Sequence, residues 1–466
     1  IYQCDWSSDV CSSDLGIFMN TIKRRTMIIL GLAALVTLAF SLFLIKFEDQ
    51  GRDWAGAYFN SHAWHEGIFV AGEVQDRQGA VLLYTQDGKR LYNEGETLRR
   101  ATLHAVGDAG GNIGGSAQSQ FKKELMGYNM LNGLWSLSGE GRRLRLTVDA
   151  DLNAVAYEAL SGRDGCVMLY DYANGEILCM VSSPGFDPAN PPDLEAGSSA
   201  YINRCLSASF PPGSIFKLVT LQAALEQLPD LESRVFTCSG GYQVGGDRVT
   251  CTASHGEQDL AAALAHSCNS AFAEISLELG AETIRDYAQR AGLLDALAVD
   301  HYTTASGSFD LAEQDIDLAW SGIGQYHDMV TPVAMLRYVG AIANGGKGVE
   351  PRLLKSVATS SGIPLSVDIF HSSAGLLSGE TAGKIKALML NNVTAEYGGD
   401  NFPGLALGAK SGTAEVEGQP PHAWFTGFLD DESHPYAFIV LVEGGGTGAT
   451  VAGSVANKVL QAAVAQ

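Results

Sequence analysis

Residues 166–181 read Cys-Val-Met-Leu-Tyr-Asp-Tyr-Ala-Asn-Gly-Glu-Ile-Leu-Cys-Met-Val, two apolar runs on either side of Asn174-Gly175. Each run has the length of a strand, and Asn-Gly is a strong hairpin signal because both residues tolerate positive φ. A strand over 166–172 therefore pairs with one over 176–181 through a two-residue turn. Upstream, Thr147-Val148-Asp149 opens a helix through residue 160. Downstream, apolar residues at helical spacing predict helices over 215–225, 260–265, 270–279 and 331–344. Strands return over 406–414, 422–428 and 436–443. Two strands, a helical block and three strands imply an α+β fold, with one antiparallel five-stranded sheet joining the first and last segments and helices flanking it.

The rest of the chain frames that unit. At 466 residues and 46% hydrophobic content it can bury a sizeable core. A formal net charge of −22 excludes a phosphate backbone as the expected partner, since nucleic-acid binding needs a positive contact surface. Residues 1–18 show neither a signal-peptide pattern nor an amphipathic period. They look like a translated sequencing-adapter remnant ahead of a start at Met19, and are set aside as a non-native extension. Residues 19–26 carry Lys23, Arg24 and Arg25, and 27–45 form an uncharged apolar run closed by Lys46. The run is long enough for a transmembrane helix, and the basic cluster keeps the N-terminus cytoplasmic. Phe47, Glu48, Asp49 and Gln50 follow it in place of a small-residue cleavage site, which predicts a retained single-pass anchor in the cell membrane with everything beyond it extracytoplasmic. Residues 46–143, with a strand pair around Asp76-Arg77-Gln78-Gly79 and a Gly-rich loop over 107–115, read as a stalk or small pedestal domain. Residues 144–466 form the main domain.

Cysteine chemistry is secondary in this reading. Cys4 and Cys11 fall in the extension; Cys166, Cys179 and Cys205 read as small buried side chains, and Cys268 as a packing residue. Cys238 and Cys251 flank a Gly-rich segment that reads as a hairpin, so a disulfide between them is one of two open alternatives outside the cytoplasm. No Cys/His spacing forms a standard zinc signature, and His255 and His266 read as structural residues; no metal is expected.

Three segments carry chemistry. Pro212-Gly213-Ser214-Ile215-Phe216-Lys217 places a hydroxyl at a helix N-terminus, where N–H groups favour developing negative charge, and a lysine three residues on, on the same face. A lysine among apolar neighbours has a lowered pKa and serves as a neutral base toward that serine. Ser267-Cys268-Asn269 falls in a break between helices, and Lys410-Ser411-Gly412-Thr413 lies on a strand whose small residues let a ligand backbone approach. Each segment alone has a plainer reading: Ser-x-x-Lys arises by chance and recurs here as Ser119-Gln120-Phe121-Lys122, Ser and Asn cap helices, and lysine defends edge strands. In this order they describe a serine acyl-transfer site.

The combination resembles the class B penicillin-binding proteins, the monofunctional peptidoglycan transpeptidases of the β-lactamase-like superfamily. The likeness extends to Leu146-Thr147-Val148-Asp149, Ser182-Ser183-Pro184-Gly185-Phe186-Asp187-Pro188, Asn203-Arg204, Gly324-Gln325, Val330-Thr331-Pro332, Ala423-Trp424-Phe425-Thr426-Gly427 and the Asp76-Arg77-Gln78-Gly79 turn. It departs at Ser411, where Thr is commoner, and at Cys268, where Ser is frequent.

The resemblance implies cross-linking of peptidoglycan stem peptides through a Ser214 acyl-enzyme, with inhibition by β-lactams. Lys217 is then the base and Ser267 a proton relay. The N–H groups of Ser214 and Thr413 form the oxyanion hole, Asn269 orients the peptide, and Lys410, Ser411, Gly412 and Thr413 hold its terminal carboxylate. It implies no metal or organic cofactor. A glycan polymerase in the membrane is the implied partner, since the stretch before residue 144 is too short for a glycosyltransferase. A class A β-lactamase would need a deacylating Glu-x-x-x-Asn between Ser267 and Lys410, which the chain lacks, and the class D type usually has Val at position 269. A non-catalytic β-lactam sensor or division scaffold is the third alternative.

Overall fold

The computed structural model describes residues 8–55, 64–65, 68–127, 141–367 and 372–466. The first seven residues of the extension, and residues 56–63, 66–67 and 128–140 of the stalk or pedestal stretch, lie outside the described residues.

The central sheet has five antiparallel strands in the order Leu407–Val416, Gln419–Leu429, Tyr436–Val442, Gly165–Asp171, Ile177–Ser183. Tyr436–Val442 pairs along its full length with Gly165–Asp171, so the last strands close onto the first as the element order predicts. The hairpin between the first two strands differs from expectation. Its connection runs from Tyr172 to Glu176 and is wider than a two-residue turn. The Asp171 carboxylate accepts the N–H groups of Ala173 and Asn174 and the Asn174 side-chain amide, which folds the connection around the aspartate.

The sheet is covered on both faces, which is why its strands read as unbroken apolar runs. Met168, Tyr170, Trp424, Ile439 and Leu441 point to one side, into a core shared with Leu218 and Val219 of the helix Lys217–Gln227 and Met335 and Val339 of Pro332–Ala343. Their neighbours Val167, Leu169, Phe425, Phe438 and Val440 point to the other, against Leu152 and Ala156 of Ala150–Leu160 and Val459 and Leu460 of Gly453–Val464. Each large side chain fully buried this way contributes about 1.5–3 kcal/mol relative to exposure. Asp149 caps Ala150–Leu160 by accepting the Leu152 N–H at 2.9 Å, where the sequence places the helix start.

A second sheet takes strands from both sides of residue 144, in the order Pro364–Val367, Leu354–Ala358, Arg143–Leu146, Glu73–Gln75, Val81–Gln86, Lys89–Tyr92. The Asp76-Arg77-Gln78-Gly79 turn joins it to the central unit. One Asp76 oxygen accepts the N–H groups of Gln78, Gly79 and Ala80 at 2.8–2.9 Å, and the other accepts that of Ala150. Arg77 pairs with Glu176 at 3.0 Å, and Gln78 donates to Asp149 at 2.8 Å. At the N-terminus a helix spans Ser8–Ala55, and within its segment Phe18–Phe47 an 18-residue window reaches a mean hydropathy of 2.8 with none of that window buried. At 1.5 Å per residue such a segment is about 45 Å long, more than the ~30 Å of a bilayer's hydrocarbon core.

Candidate active site

Close backbone approach builds the site. Residues Gly213–Ile215 form a single 3₁₀ turn that leads into the helix Lys217–Gln227. Gly213 has φ +53°, and a Cβ there would lie 2.6 Å from the Thr413 carbonyl oxygen. Gly324 has φ +85°, and a Cβ there would lie 2.2 Å from the Gly213 oxygen; its own carbonyl accepts the Gly213 N–H at 2.8 Å. Glycine at both positions lets three backbone segments meet, which sets half-buried Ser214 beside the strand carrying Lys410-Ser411-Gly412-Thr413. Trp424 on the neighbouring strand fixes the approach by donating its indole N–H to the Pro211 carbonyl at 2.9 Å.

Two buried ammonium groups converge on the second motif. Lys217 and Lys410 are each 0% exposed. Lys217 Nζ donates to Ser267 O at 2.6 Å, Ser267 Oγ at 3.1 Å and Asn269 Oδ1 at 2.7 Å. Lys410 Nζ donates to the same Ser267 hydroxyl at 2.9 Å and to Ser411 O at 2.9 Å. Burial lowers Lys217 from 10.5 to about 7. Burial, and then the charge of Lys217, hold Lys410 well below the ordinary lysine range. Ser267 sits between the two in a left-handed conformation, φ +51°. Among the described residues the Ser214 hydroxyl has no hydrogen-bond partner, so Lys217 is held by the second motif and not by the serine it was expected to deprotonate. Lys410 likewise points inward, which leaves Ser411 and the exposed Thr413 as the residues of that segment that face the cleft.

Ser214, Ser267, Asn269, Ser411 and Thr413 line one cleft of about 650 Å³, within the range of small-ligand sites. Gly412, between Ser411 and Thr413, is packed under the turn that carries Ser214, where a Cβ would lie 3.1 Å from Pro212 O and from Ile215. All eight residues singled out in the three motifs thus meet at one place. The decoy does not: Ser119 is turned onto Ser116 in a separate short helix.

Tyr397 escaped the sequence reading. It lies in a π-helical turn, Val393–Tyr397, at the end of the helix Gly379–Asn392, a local geometry that recurs at functional sites. Its hydroxyl donates to Ser411 Oγ at 3.1 Å and accepts the Ser411 N–H at 2.9 Å, on the open edge of the sheet. Burial pushes the phenol up to about 12, so it stays protonated. Glu396 joins the cleft wall and takes His266 at 3.0 Å.

The cysteines depart most from expectation. Cys238 and Cys251 are free thiols and form no disulfide. They do not oppose one another across a single hairpin: Phe236–Cys238 pairs with Gly256–Gln258, whereas Asp247–Thr250 pairs with Gly241–Val244. Cys251 Sγ lies 3.9 Å from Cys268 Sγ and 3.6 Å from His255 Nδ1, far beyond the ~2.05 Å of a disulfide. Cys268 is buried, and more than packing surrounds it.

Residues 165–461 match the penicillin binding protein transpeptidase domain as a family. The peptidoglycan D,D-transpeptidase PbpA of Mycobacterium tuberculosis is 26% identical over 378 residues, covering 73% of this chain and 76% of that one. Stage V sporulation protein D of Bacillus subtilis is 30% identical over 59% of this chain and 45% of its own length. Among solved structures, the D,D-transpeptidase domain of a peptidoglycan glycosyltransferase from Eggerthella lenta superposes with a TM-score of 0.73 at 26% identity, covering 85% of this chain and 98% of that one. The ceftriaxone acyl-enzyme complex of penicillin-binding protein A from M. tuberculosis superposes at 0.76 with 24% identity, covering 87% and 99%, and shares the fold.

Proposed function

The chain belongs to the penicillin-binding protein transpeptidase family, and from that premise we propose that it is a peptidoglycan D,D-transpeptidase working through an acyl-enzyme on Ser214. The observation that carries this reading is Ser267 Oγ held at 3.1 Å from Lys217 Nζ and 2.9 Å from Lys410 Nζ, in the same cleft as Ser214.

In this reading the Ser214 oxygen attacks the penultimate D-Ala carbonyl of a stem peptide. Neutral Lys217 takes the serine proton, reaching it as the peptide fills the cleft, because catalytic hydrogen bonds tighten in the substrate complex. The N–H groups of Ser214 and Thr413 hold the oxyanion, at about 3–4 kcal/mol per donor. Ser267 passes the proton to the departing D-Ala amine, and the carbon–nitrogen bond breaks. Lys410 fixes the Ser267 hydroxyl and supports the strand. Asn269 orients the peptide; Ser411 and Thr413 bind the terminal carboxylate over Gly412. An amine on a neighbouring stem then releases the enzyme with a cross-link, and water does so as a minor carboxypeptidase reaction. A β-lactam enters as a donor mimic and stays on Ser214.

The proposed assembly keeps residues 19–26 in the cytoplasm, 27–45 in the membrane, 46–143 as stalk or pedestal and 144–466 as the catalytic unit outside. A membrane glycan polymerase supplies the strands, contacting anchor and pedestal. The test is the full-length protein in detergent on lipid-linked glycan polymer, with muropeptides scored by mass spectrometry. Cross-linked dimers are expected from the wild type and none from Ser214→Ala. Trimmed monomers without dimers would replace transpeptidation by hydrolysis.

A further inference from the structure

The Ser267-Cys268-Asn269 segment contributes Cys268 to a cluster of four side chains that the acyl-transfer chemistry leaves unused. Cys238, Cys251, His255 and Cys268 bring their ligand atoms within 4.8 Å of one another. Each comes from a different place: the end of the strand Phe236–Cys238, the residue after Asp247–Thr250, the residue before Gly256–Gln258, and the cap of the helix Asn269–Leu279. We propose that these four residues form a structural zinc site that clamps the second catalytic motif.

The distances fit that ion. Tetrahedral zinc with Zn–S of about 2.3 Å and Zn–N of about 2.0–2.1 Å separates two sulfurs by about 3.8 Å and a sulfur from a nitrogen by about 3.6 Å. The Cys251 to Cys268 and Cys251 to His255 separations are 3.9 and 3.6 Å. Three thiols and an imidazole are soft donors that suit zinc and disfavour magnesium or calcium. The surroundings supply outer support: the Asn269 N–H donates to Cys251 Sγ at 3.2 Å, the Ser270 hydroxyl to Cys238 Sγ at 3.2 Å, and the His255 ring stacks on His266 at 5.1 Å. Cys238 and Cys268 are buried, while Cys251 and His255 are partly open, and Cys251 lines the cleft, which gives the ion a route in. Binding converts three thiols to thiolates and releases three protons. A disulfide would consume two of the sulfurs and strand the third.

The clamp explains the backbone at Ser267. A non-glycine residue at φ +51° costs about 1–3 kcal/mol and persists where its surroundings over-determine it. A metal bond to the next residue, Cys268, fixes that turn, and with it the Ser267 and Asn269 side chains on Lys217. Four protein ligands leave no open position, so the ion is structural and takes no part in the reaction.

Full-length protein, purified in detergent without added metal, is analysed for metal content by mass spectrometry. About one zinc per chain is expected, falling to background in Cys238→Ser and in His255→Ala. Because loss of the local fold in those variants would give the same reading, cobalt(II) exchanged into the wild type gives the deciding spectrum: a thiolate-to-cobalt charge-transfer band with tetrahedral ligand-field bands. Stripping the zinc by chelation should slow penicillin acylation roughly 10-fold to 100-fold, restored by zinc and not by magnesium. A metal-free wild type that takes up no cobalt, a cobalt spectrum without thiolate bands, or a mapped disulfide among these cysteines in the protein as isolated would overturn the site. Unchanged acylation after complete stripping would overturn the clamp. Metal content is read without any acylation, so a failed zinc site and a failed transpeptidase assignment give different results.

Discussion

In the proposed mechanism Lys217 carries the proton chemistry, and its environment sets the sign of the pH dependence. Burial lowers it from 10.5 to about 7, so the neutral amine is the minor form below pH 7 and the major form above it. Acylation of Ser214 by penicillin is expected to rise about tenfold per pH unit up to roughly 7 and then level off, as stopped-flow measurement would show. A rate that falls between pH 5 and 7 would remove Lys217 as the base. The same shift means the folded state binds fewer protons than the unfolded one between about 7 and 10.5, so this lysine's contribution to stability increases with pH across that window. Gly213 is the second residue to test. Gly213→Ala places a methyl against the Thr413 carbonyl at a positive φ, and displaces Ser214; acylation should drop by about 100-fold. A rate within twofold of wild type would show that the approach of the two backbones is not required. The motif residues were legible because their chemistry demands fixed residue types at fixed spacing. Tyr397 was not, since one tyrosine in a helical pattern carries no sign of which strand it will meet. The cysteines were hidden for the same reason: Cys238, Cys251, His255 and Cys268 lack any Cys-x-x-Cys pair, and only folding puts them together.

At the level of elements, the central strands and the helices read from the sequence fall within a few residues of expectation, because apolar runs bounded by turn residues leave little choice, whereas others, such as Gly379–Asn392 and Gly453–Val464, were not foreseen. Where the sequence misled, a polar side chain was responsible: Asp171 captures two backbone N–H groups and widens the turn that Asn174-Gly175 suggested. The second sheet was less legible. Its pairing of Arg143–Leu146 with Leu354–Ala358 on one side and Glu73–Gln75 on the other joins stretches far apart in the chain. The Asp76 turn docks that sheet onto the helix Ala150–Leu160. Asp76→Ala removes charge-assisted bonds to four backbone N–H groups, and should cost about 2 kcal/mol in denaturant unfolding, with penicillin acylation unchanged. A fall in acylation at unchanged stability would place the turn in the catalytic unit. Tyr397→Phe acts differently. It leaves the Ser411 N–H and hydroxyl without their partner on the sheet edge, and should reduce acylation about tenfold with little change in unfolding.

Across the whole molecule, the N-terminal apolar helix is compatible with a single-pass membrane anchor on a chain of acidic balance. Protease added outside intact spheroplasts should digest the chain beyond Lys46 while sparing residues 19–45; protection of the large fragment would reverse the proposed orientation. The five-stranded sheet, covered by helices on both faces, brings together hydroxyls and ammonium groups drawn from three distant segments. The measurement that tests this most directly is mass mapping of penicillin G on the full-length protein in detergent. One adduct per chain is predicted, on the peptide carrying Ser214, persisting for minutes to hours and absent from Ser214→Ala. An adduct on Ser214→Ala, or release from the wild type within a second, would contradict it.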